Sequence, residues 1–214
     1  MTATQPRRYA GQSAEQRDSE RLRRLRTAAL ELFGTEGYTA VSVERVCTEA
    51  KVSTRHYYQL FGNKEDLLID LYGAITNEAF AAVGRSLEAT SGQHIVERLE
   101  VAIGAYLAPI LADPRAAKVA FVEIVGVSPR VESTRLGFRD GIIALIERES
   151  HEAVKRGEVT IRDFRFLGLA FLGAVNVVVH DWSLHADRTG HEAADELQRR
   201  LTNLAIELLT REPA

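Results

Sequence analysis

Between Val43 and Leu68 the apolar residues are spaced so that only short helices packed on one another can bury them. Val43, Val46, Cys47 and Ala50 fall at i, i+3, i+4 and i+7, a single stripe on a helix that Ser42 is placed to cap. A helix this short is not stable alone, so the stripe needs a partner. Lys51-Val52 breaks the pattern, Ser53 can cap a second helix, and Tyr57, Leu60 and Phe61 share that helix's inward face. Thr54, Arg55, His56, Tyr58 and Gln59 are left on its other faces. Two helices crossing over a turn of about 3 to 4 residues, the second polar and slim enough for a major groove about 12 Å wide, have the geometry of a helix-turn-helix.

The rest of the chain reads as helix too, and the expected class is all-α. Runs with period-2 alternation and Asn-Gly or Asp-Gly hairpin turns are absent. A first helix is expected over Ser19 to Thr35, with Leu22, Leu25, Ala29, Leu32 and Phe33 in register and Gly37 past its end. A long helix over Lys64 to Thr90 follows, then helices near Gln93 to Ala112, Arg115 to Val127, Ser133 to Arg156, Thr160 to His185 and His191 to Arg211. This gives an arm over 1–18 carrying Arg7 and Arg8, a helix-turn-helix domain over 19–63 and a larger helical domain over 64–214. In the last helix Leu197, Leu201, Leu204 and Leu208 form a seam suited to another helix, and the helix before it is apolar on nearly all sides. Together they are expected to supply half of a homodimer interface.

Charge is divided along the chain. The net charge is -3, yet residues 1–64 hold eleven Lys and Arg against seven Asp and Glu, a balance of +4, which leaves -7 for the remainder. A basic end beside an acidic body fits a reader of double-stranded DNA joined to a separate sensing or pairing module. The single cysteine, Cys47, excludes an intramolecular disulfide, and the N-terminus has no apolar signal segment, so the expected location is cytoplasmic. The longest apolar run, Phe166 to Val179, is fourteen residues interrupted by Asn176, short of the roughly 20 a bilayer requires, so no membrane association is expected.

Residues 24–71 resemble the N-terminal domain of the tetracycline-repressor-like (TetR) family. The resemblance rests on Ala28-Ala29-Leu30-Glu31-Leu32-Phe33, Glu36-Gly37-Tyr38, Val41-Ser42-Val43, Ala50-Lys51-Val52-Ser53, Tyr58-x-x-Phe61 and Asn63-Lys64-Glu65-x-Leu67-Leu68, in the family's order and spacing. It implies a three-helix DNA-binding domain on a larger ligand-binding and dimerisation domain. It also implies a homodimeric transcriptional regulator, a repressor that a small, largely apolar effector releases from a palindromic operator. An activator, an effector-independent regulator, or a helical carrier or enzyme keeping the N-terminal fold are the alternatives. Carried over by position, Ser42, Tyr58 and Lys64 meet phosphates, and Thr54, Arg55, His56 and Gln59, on the helix Ser53 opens, lie near base edges. Lys51 departs from the family's usual Gly, a position that favours positive φ.

Catalytic and metal frameworks are missing: there is no Gly-rich phosphate loop, G-x-S-x-G, H-E-x-x-H or Cys pair, and no enzyme activity, cofactor or metal is expected. His180, Asp181, His185 and His191 cluster in sequence, but His180 and His185 point about 140° apart around a helix. Glu123, set in Val119-Ala120-Phe121-Val122-Glu123-Ile124-Val125, and Asn176 with His180 are polar groups in apolar helices, expected to anchor a ligand. Tyr106, Phe121, Phe138 and Phe171 are the expected walls.

Overall fold

The computed structural model describes residues 14–185 and 193–211, and no strand occurs among the described residues. Within them nine α-helices follow one another: α1 Ala14–Thr35, α2 Val43–Ala50, α3 Thr54–Leu60, α4 Lys64–Ala89, α5 Ile95–Leu111, α6 Pro114–Lys118, α7 Pro129–Lys155, α8 Phe164–Leu184 and α9 Ala194–Thr210. A π-helical turn, Val119–Glu123, continues α6. Short polar side chains set most of the starts. Ser42, Ser53, Asn63, Asp113, Ser128 and Asp163 each accept a backbone N–H of the turn they open, and Pro114 and Pro129 occupy first-turn positions where no N–H is missed.

α1 begins earlier than its apolar stripe. Its opening turns are polar and carry the i,i+3 pairs Asp18–Arg21 and Glu20–Arg23, each at 2.6 Å, so hydrophobic periodicity could not see them. The expected arm over 1–18 therefore gives up residues 14–18 to helix; Arg7 and Arg8 lie outside the described residues.

Two cores organise the chain. In the head, α1, α2, α3 and the start of α4 bury Leu25, Phe33, Val41, Val46, Tyr57, Leu67 and Leu68. That core does not close at residue 63: Val119 and Ala120 of the π turn, Ile124 after it and Val131 of α7 belong to the same cluster. The second core, in the bundle, gathers Leu107 and Ile110 of α5, Val175 and Val179 of α8, and Leu197 and Leu201 of α9. α4 runs through both, giving Leu67, Leu68, Leu71 and Tyr72 to the head and Ala79 to the bundle.

The expected dimer seam is corrected at three of its four residues; Leu204 is half-buried and off the cavity wall. Leu197 and Leu201 are 1% and 3% exposed, spent on the protomer's own core, and Leu208 faces an internal cavity. A heptad-like stripe marks a helix neighbour without saying whether the neighbour lies in the same chain. The unpartnered apolar face belongs to α8, where Phe166 (65% exposed), Leu169, Val177 (70%) and Leu184 follow one another at helical spacing. α8 has the length and hydropathy of a bilayer-crossing helix, but its opposite face, with Leu172, Val175, Val179 and Trp182, is packed inside the protein.

Candidate functional site

The recognition surface is set by one buried ring. Tyr57 is wholly buried, its hydroxyl donates to the Asn63 carbonyl at 3.0 Å, and its ring stacks edge-on to Tyr58 and tilted to Phe61. Burial pushes the Tyr57 phenol well above its ordinary pKa. With that side chain anchored, α3 cannot roll, and Thr54, Arg55, Tyr58 and Gln59 stand in solvent without side-chain hydrogen bonds among the described residues. His56 is half-buried; Ser53 Oγ accepts its backbone N–H at 3.3 Å and lies 2.9 Å from its Nδ1. Ser42 Oγ accepts the Arg45 N–H at 3.2 Å, and the Glu44 carboxylate is held below its ordinary pKa by its own backbone N–H and then by the Ser42 hydroxyl.

The turn between α2 and α3 carries a conformational cost at Lys51, whose φ of 52° lies in the left-handed region. A non-glycine residue there costs roughly 1 kcal/mol. Arg24 of α1 offsets it: its guanidinium donates to the Ala50 carbonyl at 2.8 Å from Nε and also to the Lys51 carbonyl, satisfying acceptors that the end of α2 leaves open.

Lys64 is directed inward rather than wholly to the DNA side. Its Nζ donates to the Tyr38 and Val41 carbonyls, each at 2.8 Å, and sits 4.2 Å from the Tyr38 ring centroid. Desolvation by burial lowers its pKa. Of its three N–H donors, one is left for a phosphate.

The bundle holds a partly open cavity of about 120 Å³ between α4, α5, α7, α8 and α9. Tyr106 and Phe171 line it as expected, but Phe121, Phe138, Glu123, Asn176 and His180 do not. Phe138 stands behind the wall, 6.4 Å from the ring of Phe80, which does line it, and edge-on to Tyr72. Phe121 packs between the two cores. Asn176 Nδ2 donates to Leu172 O of its own helix at 2.6 Å, a local bond that holds the amide against its own backbone. His180 is half-buried outside the cavity wall. Besides the expected Tyr106, the polar residues on the cavity wall are Arg98, Glu149 and Ser150, legible as charges and a hydroxyl on otherwise apolar faces, next to Ile95 and Ala102 in α5 and Ile142 and Ile146 in α7. Among the described residues no trio of His, Cys, Asp or Glu could hold a metal ion; His191 lies outside them.

Glu123 has a different place. At the end of the π turn its Oε2 accepts the Tyr38 backbone N–H at 2.7 Å, with Lys118 Nζ 3.8 Å from Oε1. The bundle is thus fastened to the loop that Lys64 holds from the other side. Arg115 extends the seam by bonding both Asp113 and Glu31 of α1, while Arg130 of α7 reaches Asp66 of α4 at 2.5 Å. At Gly34 the approach of α6 is so close that a Cβ would lie 2.4 Å from that of Arg115. A helix-turn-helix head joined by one long helix to a hollow bundle is a pairing shared with known proteins. A family model described as bacterial regulatory proteins, tetR family, matches residues 25–71, and one described as the tetracyclin repressor-like C-terminal domain matches residues 92–209.

The chain belongs to the TetR family. It is a transcriptional regulator of the TetR type. The regulator TcmR of Streptomyces glaucescens is 27% identical over 214 aligned positions, covering 92% of this chain and 89% of TcmR. HbdR of Aromatoleum sp. (strain CIB) is 34% identical over 102 residues, 48% of this chain; the chain spans 44% of HbdR's length. Among solved structures, the transcriptional regulator FadR of Bacillus subtilis, in complex with stearoyl-CoA, superimposes with a TM-score of 0.74 at 19% identity, over 89% of this chain and 99% of FadR. That likeness is one of fold.

Proposed function

We propose that this TetR-type regulator is a cytoplasmic, homodimeric repressor that leaves a palindromic operator when a small apolar ligand fills the bundle cavity. Residues 19–63 form the DNA-binding domain and 64–214 the sensing and pairing domain in this reading. Thr54, Arg55, His56 and Gln59 read base edges, with Arg suited to guanine and Gln to adenine, while Ser42, Tyr58 and the remaining N–H of Lys64 hold phosphates. Two such helices on a dimer lie about 34 to 36 Å apart along the duplex. The pairing face is the apolar stripe of α8, Phe166, Leu169, Val177 and Leu184, which otherwise stays exposed to water.

The observation that carries this reading is α4. Phe80, Val83 and Leu87 on its C-terminal half line the cavity, and Leu67, Leu68 and Leu71 on its N-terminal half are buried in the head core. A ligand that binds better to one placement of α4 shifts the head between two arrangements by that difference in affinity. FadR, solved with stearoyl-CoA, supports a bundle of this fold as a ligand site.

The test is a gel-shift series on DNA recovered by genome-wide protection mapping. Arg55→Ala is expected to weaken binding by about 1 to 3 kcal/mol and relax one base position. An unchanged sequence preference removes Arg55 from the reading. Val177→Glu is expected to give a folded monomer by sedimentation that no longer binds the palindrome; a dimer would place the interface elsewhere.

A further inference from the structure

Apart from the phenol of Tyr106, the cavity wall is hydrocarbon except at one cluster, where Arg98 from the first turn of α5 meets Glu149 and Ser150 of α7. Arg98 is only 8% exposed. Its Nη1 donates to the Leu87 and Thr90 carbonyls at 3.1 and 2.9 Å, and its Nη2 donates to Glu149 Oε2. Its Nε is buried with no hydrogen-bond partner. An orphaned donor on a charged group is expensive in an interior, and such groups call for an acceptor from outside the chain.

We propose that the ligand supplies this acceptor: an apolar molecule bearing a neutral carbonyl oxygen, which takes the Nε–H of Arg98. The inference rests on reading the cavity as the effector site. Neutrality follows from the local charge. Glu149 already balances the buried guanidinium; its other oxygen meets Arg148 at 3.2 Å, but that second cation stands largely in water and is screened there. A carboxylate ligand would therefore add a poorly compensated negative charge amid hydrocarbon, whereas a ketone, ester or thioester oxygen adds none. The apolar body follows from the remaining wall, which Phe80, Val83, Ile103, Phe164 and Phe171 contribute. The same guanidinium ties the carbonyls at the end of α4, Leu87 and Thr90, so a carbonyl drawn onto Arg98 acts on the helix that carries the head.

The experiment uses the full chain and three probes of one size, hexan-2-one, hexanoate and 1-hexene, with affinities taken from thermal upshifts over a concentration series. In the wild type, hexan-2-one is expected to bind at least tenfold more tightly than hexanoate and no more weakly than 1-hexene, despite its greater solubility in water. Glu149→Gln keeps the side-chain volume and frees one positive charge, so the order of hexan-2-one and hexanoate should invert. Arg98→Met with Glu149→Met removes both charges together, and the ketone-to-alkene affinity ratio should fall at least tenfold. If all three probes bind and neither variant changes their order, Arg98 is not the anchor and the cavity remains the ligand site. If hexanoate binds best in the wild type, the neutral-carbonyl assignment is overturned. If no probe shifts the melting of any protein, the cavity reading fails and takes the anchor with it.

Discussion

In the head, Leu25, Phe33, Val46, Tyr57 and Leu67 are each wholly buried, whereas in the bundle Phe80, Tyr106, Phe171 and Leu172 surround a hollow of about 120 Å³. Both regions are amphipathic helices with comparable side chains. They differ in what their polar groups do. The head's are largely closed locally, as Tyr57 is on Asn63, Lys64 on Tyr38 and Val41, and Arg24 on the end of α2. The bundle keeps Arg98 Nε buried without a partner, in a side chain that lines the cavity. A reader of DNA gains from one rigid arrangement, and a sensor needs a place where packing is incomplete.

The comparison breaks first on truncation. Leu68→Ala opens a void where every neighbour is already in contact, and we expect a loss near the upper end of the roughly 2 to 5 kcal/mol range for such changes. Leu172→Ala, at the cavity wall, removes a side chain that already lacks neighbours on one side and should cost near the lower end of about 2 to 5 kcal/mol. Urea unfolding of both variants checks this; equal losses would mean that the bundle is as tightly packed as the head.

Next in size is the seam between the two regions. Glu123→Ala leaves the Tyr38 N–H without its acceptor, and a cost of about 1 to 3 kcal/mol is expected. Effector release should weaken along with it, read as a smaller ligand effect on operator affinity. Acid acts on the same seam. Arg130 holds the Asp66 carboxyl below its ordinary pKa, as Arg115 does for Asp113. A carboxyl depressed in the folded state contributes stability that is complete above its unfolded value of about 3.9 and is lost as pH falls through the folded value. Melting temperature should therefore drop below about pH 4, and less so in Arg130→Met.

Filling the hollow sharpens the contrast in the opposite direction. Ala102→Leu, at the wall, should raise stability by up to about 1 kcal/mol while abolishing ligand binding and sparing operator binding. The smallest effect belongs to the head: Lys51→Gly relieves the left-handed backbone and should add up to about 1 kcal/mol, partly cancelled by the greater freedom of glycine in the unfolded chain. A destabilising Lys51→Gly would show that the freedom of glycine in the unfolded chain outweighs the strain relieved.

Much of the head was legible because its contacts are local. The stripe Val43, Val46, Cys47, Ala50, the caps Ser42 and Ser53 and the inward Tyr57 all lie within a few turns of each other. The inward bonds of Lys64 were not legible because its acceptors, Tyr38 and Val41, lie more than 20 residues away. In the bundle, residue type misled. Asn176 looked unpaired but bonds its own helix, Glu123 looked like a pocket acid but serves the loop at Tyr38, and the Leu197 stripe gave no sign of which chain would cover it. Arg98 offered a readable signal, a cation on the apolar stripe of Ile95 and Ala102, and only its distance from Glu149 in the chain concealed the pair.

The π turn at Val119–Glu123 has a consequence for chain length. Such a turn holds one residue more than an α-helix needs to cover the same rise. In most of the bundle a deletion would rotate every later side chain by about 100° and wreck a packed face. Here one residue can be lost and the helix regains ordinary geometry, with the surplus absorbed where it arose. The contact with Tyr38 would then fall to whichever neighbour inherits Glu123's azimuth. This short stretch is where insertions and deletions can retune how firmly the two halves are geared without rebuilding either.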